Sequence, residues 1–141
     1  MKYFTIKELC KTSHKVENVP NQNQINNLMY LTEKVLDPAR EELDKAVTVN
    51  SGFRSKKLNA IVGGSTTSQH SRGEAADLKC SDNKKLFNII KDQNKFDQLI
   101  WEFGNDDQPG WVHVSCSKIR QRGEILKAKM VNGERVYMKM N

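Results

Sequence analysis

Cysteine is scarce in this sequence and poorly placed for bridging. Cys10, Cys80 and Cys116 are the three present, widely spaced and without a CxxC pair. An odd, scattered count excludes a disulfide framework and suits free thiols in a reducing compartment. No apolar run approaches the roughly 18 residues that mark a membrane-spanning helix, and mean hydropathy is -0.71. The amino end, Met1 to Glu8, is charged from its second residue and lacks the apolar core of a secretory signal. The chain is therefore expected to be cytoplasmic as synthesised. There is no repeat, low-complexity stretch or Pro/Gly-rich linker, so one domain over residues 1–141 is the expectation. Oligomerisation leaves no mark, and a monomer is the default.

Acidic residues are in deficit, 17 against 23 Lys and Arg, for a net charge of +6. Much of the surplus lies at the carboxyl end, where Lys118, Arg120, Arg122, Lys127, Lys129, Arg135 and Lys139 face only Glu124 and Glu134. A basic face of this kind suits a polyanion: nucleic acid, an anionic cell-wall polymer or an acidic membrane surface. It is equally the composition of an ordinary solvated strand face.

Local patterns predict an α+β fold. Thr5 and Glu8 have the spacing of a capping box. Ile25, Leu28, Met29, Val35, Leu36, Ala39 and Leu43 follow helical spacing, with a kink or restart expected at Pro38. Ala46–Val49 reads as a strand, Lys56–Val62 as a short helix capped by Ser55, Ala75–Leu78 as a strand and Asn83–Lys91 as a helix. Phe96–Glu102 and Trp111–Ser115 read as strands. Asn132-Gly133 between two β-rich runs is the preferred type I′ hairpin turn, placing a basic hairpin at about 124–140. Helices early and a small antiparallel sheet late define the class.

Two of the three histidines have informative surroundings. His70 lies in Ser68-Gln69-His70-Ser71-Arg72-Gly73-Glu74-Ala75-Ala76-Asp77, and His113 in Trp111-Val112-His113-Val114-Ser115. Two His and one Asp suffice for a catalytic zinc, which takes three protein ligands and keeps one position open. Gly73 permits a turn that would let His70 converge on Asp77. Alternation turns His113 away from Val112 and Val114. A hydrogen-bonded structural role fits the same histidines. His14, in a polar stretch, reads as a surface residue.

The pattern S-x-H-x-x-G-x-A-x-D (Ser68, His70, Gly73, Ala75, Asp77), followed by Trp111-Val112-His113, resembles the zinc D-Ala-D-Ala carboxypeptidase family. That family includes D-Ala-D-Ala dipeptidases and phage endolysins that cut L-alanyl-D-glutamate bonds. Ser51-Gly52-Phe53-Arg54-Ser55 matches its S-G-[FY]-R-[ST] segment, and the resemblance runs from about Phe4 to Val136, most like the short phage-type members. It implies that His70, Asp77 and His113 hold one Zn²⁺. Arg54 would bind a substrate carboxylate or polarise the scissile carbonyl, and Ser68 and Gln69 would shape the approach to the metal. The implied substrate is a peptidoglycan stem peptide, reached after release during phage lysis.

Many members of that family carry Glu or Asp three residues before the last His, and Gly110 stands there instead. Glu102 is the expected base, provided that its strand pairs antiparallel with Trp111–Ser115 so that Glu102 faces Trp111. Asp106 and Asp107 are the alternatives. Two other readings remain: a zinc-containing wall-binding module without catalysis, suggested by Gly110, and a small basic nucleic-acid-binding protein, which leaves the His and Asp motifs unexplained. The residues do not distinguish carboxypeptidase, dipeptidase and endopeptidase.

Overall fold

The computed structural model describes residues 1–140. The first helix, α1 (Ile6–Leu9), is capped by Thr5, whose hydroxyl accepts from the Glu8 backbone N–H at 3.1 Å. A reciprocal capping box forms instead at the start of α2 (Gln22–Leu31). There Asn21 Oδ1 accepts from Gln24 N, and Gln24 Oε1 accepts from Asn21 N. The helix then widens into a π-helical turn, Thr32–Leu36, and resumes as α3 (Asp37–Leu43). Pro38 thus falls in the first turn after the π-helical segment. The restart expected at this proline is present, with the π turn absorbing it.

β1 is Thr48–Ser51, two residues beyond the predicted strand. It is followed by α4 (Lys56–Ile61), capped by Ser55 as expected, then a 3₁₀ turn at Gln69–Arg72 and β2 (Ala75–Lys79). Helix α5 (Asn83–Gln93) leads to β3 (Gln98–Glu102), β4 (Trp111–Ser115), β5 (Glu124–Val131) and β6 (Glu134–Lys139). Asn132 and Gly133 both have positive φ, 52° and 79°, as a type I′ turn requires.

The six strands form one sheet in the order β1-β2-β4-β3-β5-β6. The α+β class holds, but the sheet is mixed rather than wholly antiparallel, because β3 and β5 run parallel. Since β4 is antiparallel to β3, the chain leaves β4 beside the start of β3. It crosses there, with Gly123 N donating to Phe96 O and Glu124 N to Asp97 O, and enters β5 in the direction of β3.

Strand alternation divides the sheet into two faces. Ala76, Leu78, Leu99, Trp101, Val112 and Val114 face the helices and join Leu28, Leu31, Leu86, Phe87 and Ile90 in the core. Phe87 and Trp101 meet edge to face at 5.3 Å. Each such side chain contributes about 1.5–3 kcal/mol of burial. The opposite face carries Asp77, His113, Ile100, Glu102 and Trp111 into a cleft. Of the cysteines, Cys116 is buried, its thiol pushed up to about 11 by burial, and Cys10 and Cys80 are half-buried. None lines that cleft. No helix among the described residues is long and apolar enough to cross a membrane.

Candidate active site

Residues from separate parts of the chain converge on the cleft, which has a volume of about 630 Å³. The 3₁₀ turn brings His70, and its cap is Ser68, whose hydroxyl accepts from the His70 N–H at 3.2 Å. Gly73 ends this turn at φ 76°, and a Cβ there would come within 2.5 Å of the Gln24 carbonyl oxygen. Glycine is the residue that fits both the backbone angle and the space. The chain then enters β2, where Asp77 pairs across the sheet with His113 of β4.

The buried His70 ring donates from Nδ1 to the Gly52 carbonyl at 2.8 Å. A carbonyl only accepts, so Nδ1 carries the proton and Nε2 keeps its lone pair, 3.4 Å from Asp77 Oδ2. Gly52 lies against the Leu9 backbone so tightly that no Cβ fits. His113 Nδ1 is 2.9 Å from Asp77 Oδ1, and the two imidazole centroids are 5.1 Å apart. Donor atoms of His70, Asp77 and His113 all lie within 4.8 Å of one another. Burial pushes the His70 pKa down, which favours the neutral, ligating form. Burial works against ionisation of Asp77, but the hydrogen bond from His113 offsets it, and the carboxylate is held below its ordinary range. A ring nitrogen from each of His70 and His113 and one Asp77 carboxylate oxygen form a donor set that could hold one zinc ion.

Arg54 sits at the rim of this cluster. Its backbone N–H donates to the His70 carbonyl. Nε donates to Ser51 Oγ at 3.0 Å, Nη1 to Asn59 Oδ1 at 3.2 Å and Nη2 to Asp77 Oδ2 at 3.5 Å. The guanidinium is therefore fixed in direction and still lines the cleft.

Glu102 pairs with Trp111, the register under which it shares a face with His113. It is 4% exposed, and its Oε2 has no hydrogen-bond partner. Burial pushes its pKa above the usual glutamate value. An unpartnered buried carboxylate oxygen costs free energy, and such a cost is characteristic of functional positions. By contrast, Asp106 and Asp107 are 98% and 87% exposed and do not line the cleft.

Ser68 reaches the cleft wall, whereas Gln69 does not. The Gln69 amide donates instead to Asp97 Oδ2 at 3.1 Å, so this residue ties the His70 turn to the start of β3. Trp111 lines the cleft, while Trp101 and Phe53 are buried in the core. Residues that the sequence pattern did not single out also line the wall: Gln98, Leu126, Arg135 and Tyr137. Gln98 was within reach of the alternation that identified Glu102. The other three arrive only through the parallel β3–β5 pairing.

Buried His70 and half-buried Asp77 and His113, beside a buried carboxylate with an unpartnered oxygen in an open cleft, form a donor set of the kind that metal-dependent hydrolases use. The family model for Peptidase M15 matches residues 2–115, and the chain belongs to that family. The match contains Arg54, His70, Asp77, Glu102 and His113. It ends at the last residue of β4, short of the Val136 limit expected from sequence motifs, and leaves the β5–β6 hairpin outside. The zinc D-Ala-D-Ala carboxypeptidase of Streptomyces albus G is 57% identical over 35 residues, which are 25% of this chain and 14% of that protein.

Proposed function

We propose that this protein is a zinc-dependent peptidase that hydrolyses peptidoglycan stem peptides next to a D-amino acid. The observation that carries the reading is the unpartnered Glu102 carboxylate in the same cleft as the His70, Asp77 and His113 donors. His70, Asp77 and His113 would hold the zinc. When bound, zinc supplies a Lewis acid for the peptide carbonyl and acidifies a water.

The chain's own residues carry the remaining work. Glu102 takes the water's proton on its free Oε2 and delivers it to the departing amine, as a buried, raised-pKa carboxylate suits. Arg54, held by Ser51, Asn59 and Asp77, presents its remaining N–H groups to the scissile carbonyl oxygen. Ser68 fixes the His70 turn, and Gly52 fixes the His70 tautomer. Lys129 and Lys139 of the hairpin provide charge for an anionic wall polymer. Glu102 also supports catalysis over the wall-binding reading that Gly110 raised, because a base is at hand without an acid at that position.

Mass spectrometry of sacculi digested with the metal-stripped and the zinc-restored protein tests this reading. Zinc-dependent release of new amino groups or of D-Ala is expected, and the fragment masses identify the bond. Stoichiometric zinc binding with no released product would sink the catalytic reading.

A further inference from the structure

The β5–β6 hairpin is more than a basic appendage. Tyr137 pairs with Ala128, and Ala128 pairs with Glu102, so Trp111, Glu102, Ala128 and Tyr137 form one row across four strands. Ala128 is fully buried and small, and this row brings β6 up to the cleft. Arg135, two residues before Tyr137, projects from the same face and lines the same cleft as His70, Asp77, Glu102 and His113.

The two arginines of the cleft differ in what they already bind. Arg54 is paired with Asp77. Arg135 has no acidic partner within ion-pair distance among the described residues; Nη1 donates to Tyr137 Oη at 3.2 Å, and the guanidinium lies over the Phe103 ring at 5.0 Å. Phe103 in turn packs against Trp111, 5.4 Å between centroids. Arg135 is thus held in place by one hydroxyl and one aromatic face while most of its donors stay free. Its charge is felt by Glu102 and by Arg54, which places it within the field of the reacting groups. With Asp77 and Glu102 offset by Arg54 and Arg135, a divalent metal leaves the cleft net positive. A planar fork of free N–H donors in such a site matches a carboxylate.

We propose that Arg135 is the substrate-carboxylate-binding residue of this cleft, and that the protein selects peptides bearing a free carboxylate beside the scissile bond. The inference rests on the peptidase reading and deepens it. It also separates the two cations: Arg54 acts on the scissile carbonyl, Arg135 on the carboxylate. Two sources share this chemistry, a terminal α-carboxylate and the α-carboxylate of a D-glutamate linked through its side chain.

The test is calorimetric binding to the zinc-loaded full chain carrying Glu102→Gln, which prevents turnover during titration. The probes are acetyl-D-Ala-D-Ala and acetyl-L-Ala-γ-linked D-Glu, each as the free acid and as the corresponding amide. One acid is expected to bind about ten- to a hundredfold more tightly than its amide. Adding Arg135→Gln should abolish that ratio while leaving the amide's affinity unchanged, and Arg135→Lys should keep part of it. The pair that shows the preference identifies the source of the carboxylate. A preference that survives Arg135→Gln, an equal loss on acid and amide, or no preference at all would overturn the proposal. Zinc-dependent digestion of sacculi with an acid preference indifferent to Arg135 defeats this inference alone. No zinc-dependent digestion defeats the peptidase reading, and with it the substrate assigned to Arg135.

Discussion

Gly110 and Glu102 are bound to each other. The Gly110 N–H donates to the Glu102 carbonyl at 2.8 Å, closing the β3–β4 hairpin. The position at which an acid is missing and the residue that can take its place therefore belong to one turn. A carboxylate projecting from β3 reaches the same cleft as His113 on β4. A Cβ on Gly110 would stand 3.1 Å from that same carbonyl, so the hairpin closes tightly around this glycine.

Glu102→Gln should lower kcat by about two to four orders of magnitude, the usual contribution of a positioned general base, while zinc stoichiometry stays at one. Asp106→Asn and Asp107→Asn should leave kcat unchanged. Steady-state kinetics with metal analysis on the same preparations checks both.

The acid limb of the pH–rate profile should lie above the ordinary glutamate value of 4.5. Burial raises the Glu102 pKa, and only the ionised form takes a proton, so activity falls as pH drops through the raised value. A kcat/KM profile with its acidic limb at or below 4.5 would contradict the assignment.

His113→Ala and Asp77→Asn should each abolish stoichiometric zinc binding and activity together. Zinc binds the folded form, so adding it should raise the wild-type Tm, by an amount equivalent to about 2.7 kcal/mol at a hundredfold excess over Kd. Neither variant should show that rise. Thermal scans with and without zinc read this independently of turnover.

Asp97 should matter for stability rather than chemistry. Its fully buried carboxylate accepts from Arg122 Nε at 2.7 Å and Nη2 at 3.0 Å, and from Gln69 Nε2 at 3.1 Å. Burial opposes its ionisation, but the Arg122 hydrogen bonds outweigh burial and hold the pKa below the usual 3.8. A carboxylate with a lowered folded-state pKa stabilises above its unfolded value and loses that contribution as pH falls. Asp97→Asn should therefore cost about 1.5–3 kcal/mol at pH 7, with the difference from wild type shrinking below about pH 4. Urea unfolding at the two pH values measures it.

The hairpin turn, the Thr5 and Ser55 helix caps and the face of His113 were legible because their causes are local. Asn132-Gly133 sets its turn through the φ angles that those two residues accept, and Val112-His113-Val114 sets the face of His113 through alternation. Glu102 needed one added condition, its pairing with Trp111, and the structure has that register. Gln69 was not legible: its neighbours suggest the metal approach, while its amide goes to Asp97, 28 residues away in the chain. The Asn21–Gln24 capping box was legible in principle and lay outside the apolar periodicity that located the helix.

Sequence alone determined which residue types could bind a metal here, and that alternation turns His113 away from its apolar neighbours. Only the tertiary structure decided that β5 pairs parallel to β3, and so that Arg135 and Tyr137 reach the cleft. Side-chain direction within a strand follows from its two-residue period, a property of the backbone itself. The choice of neighbouring strand depends on where β4 leaves the sheet and what anchors the crossing. Asp97 just before β3 and Arg122 after β4 make that contact at the open end of the β3–β4 hairpin, and no local pattern encodes it.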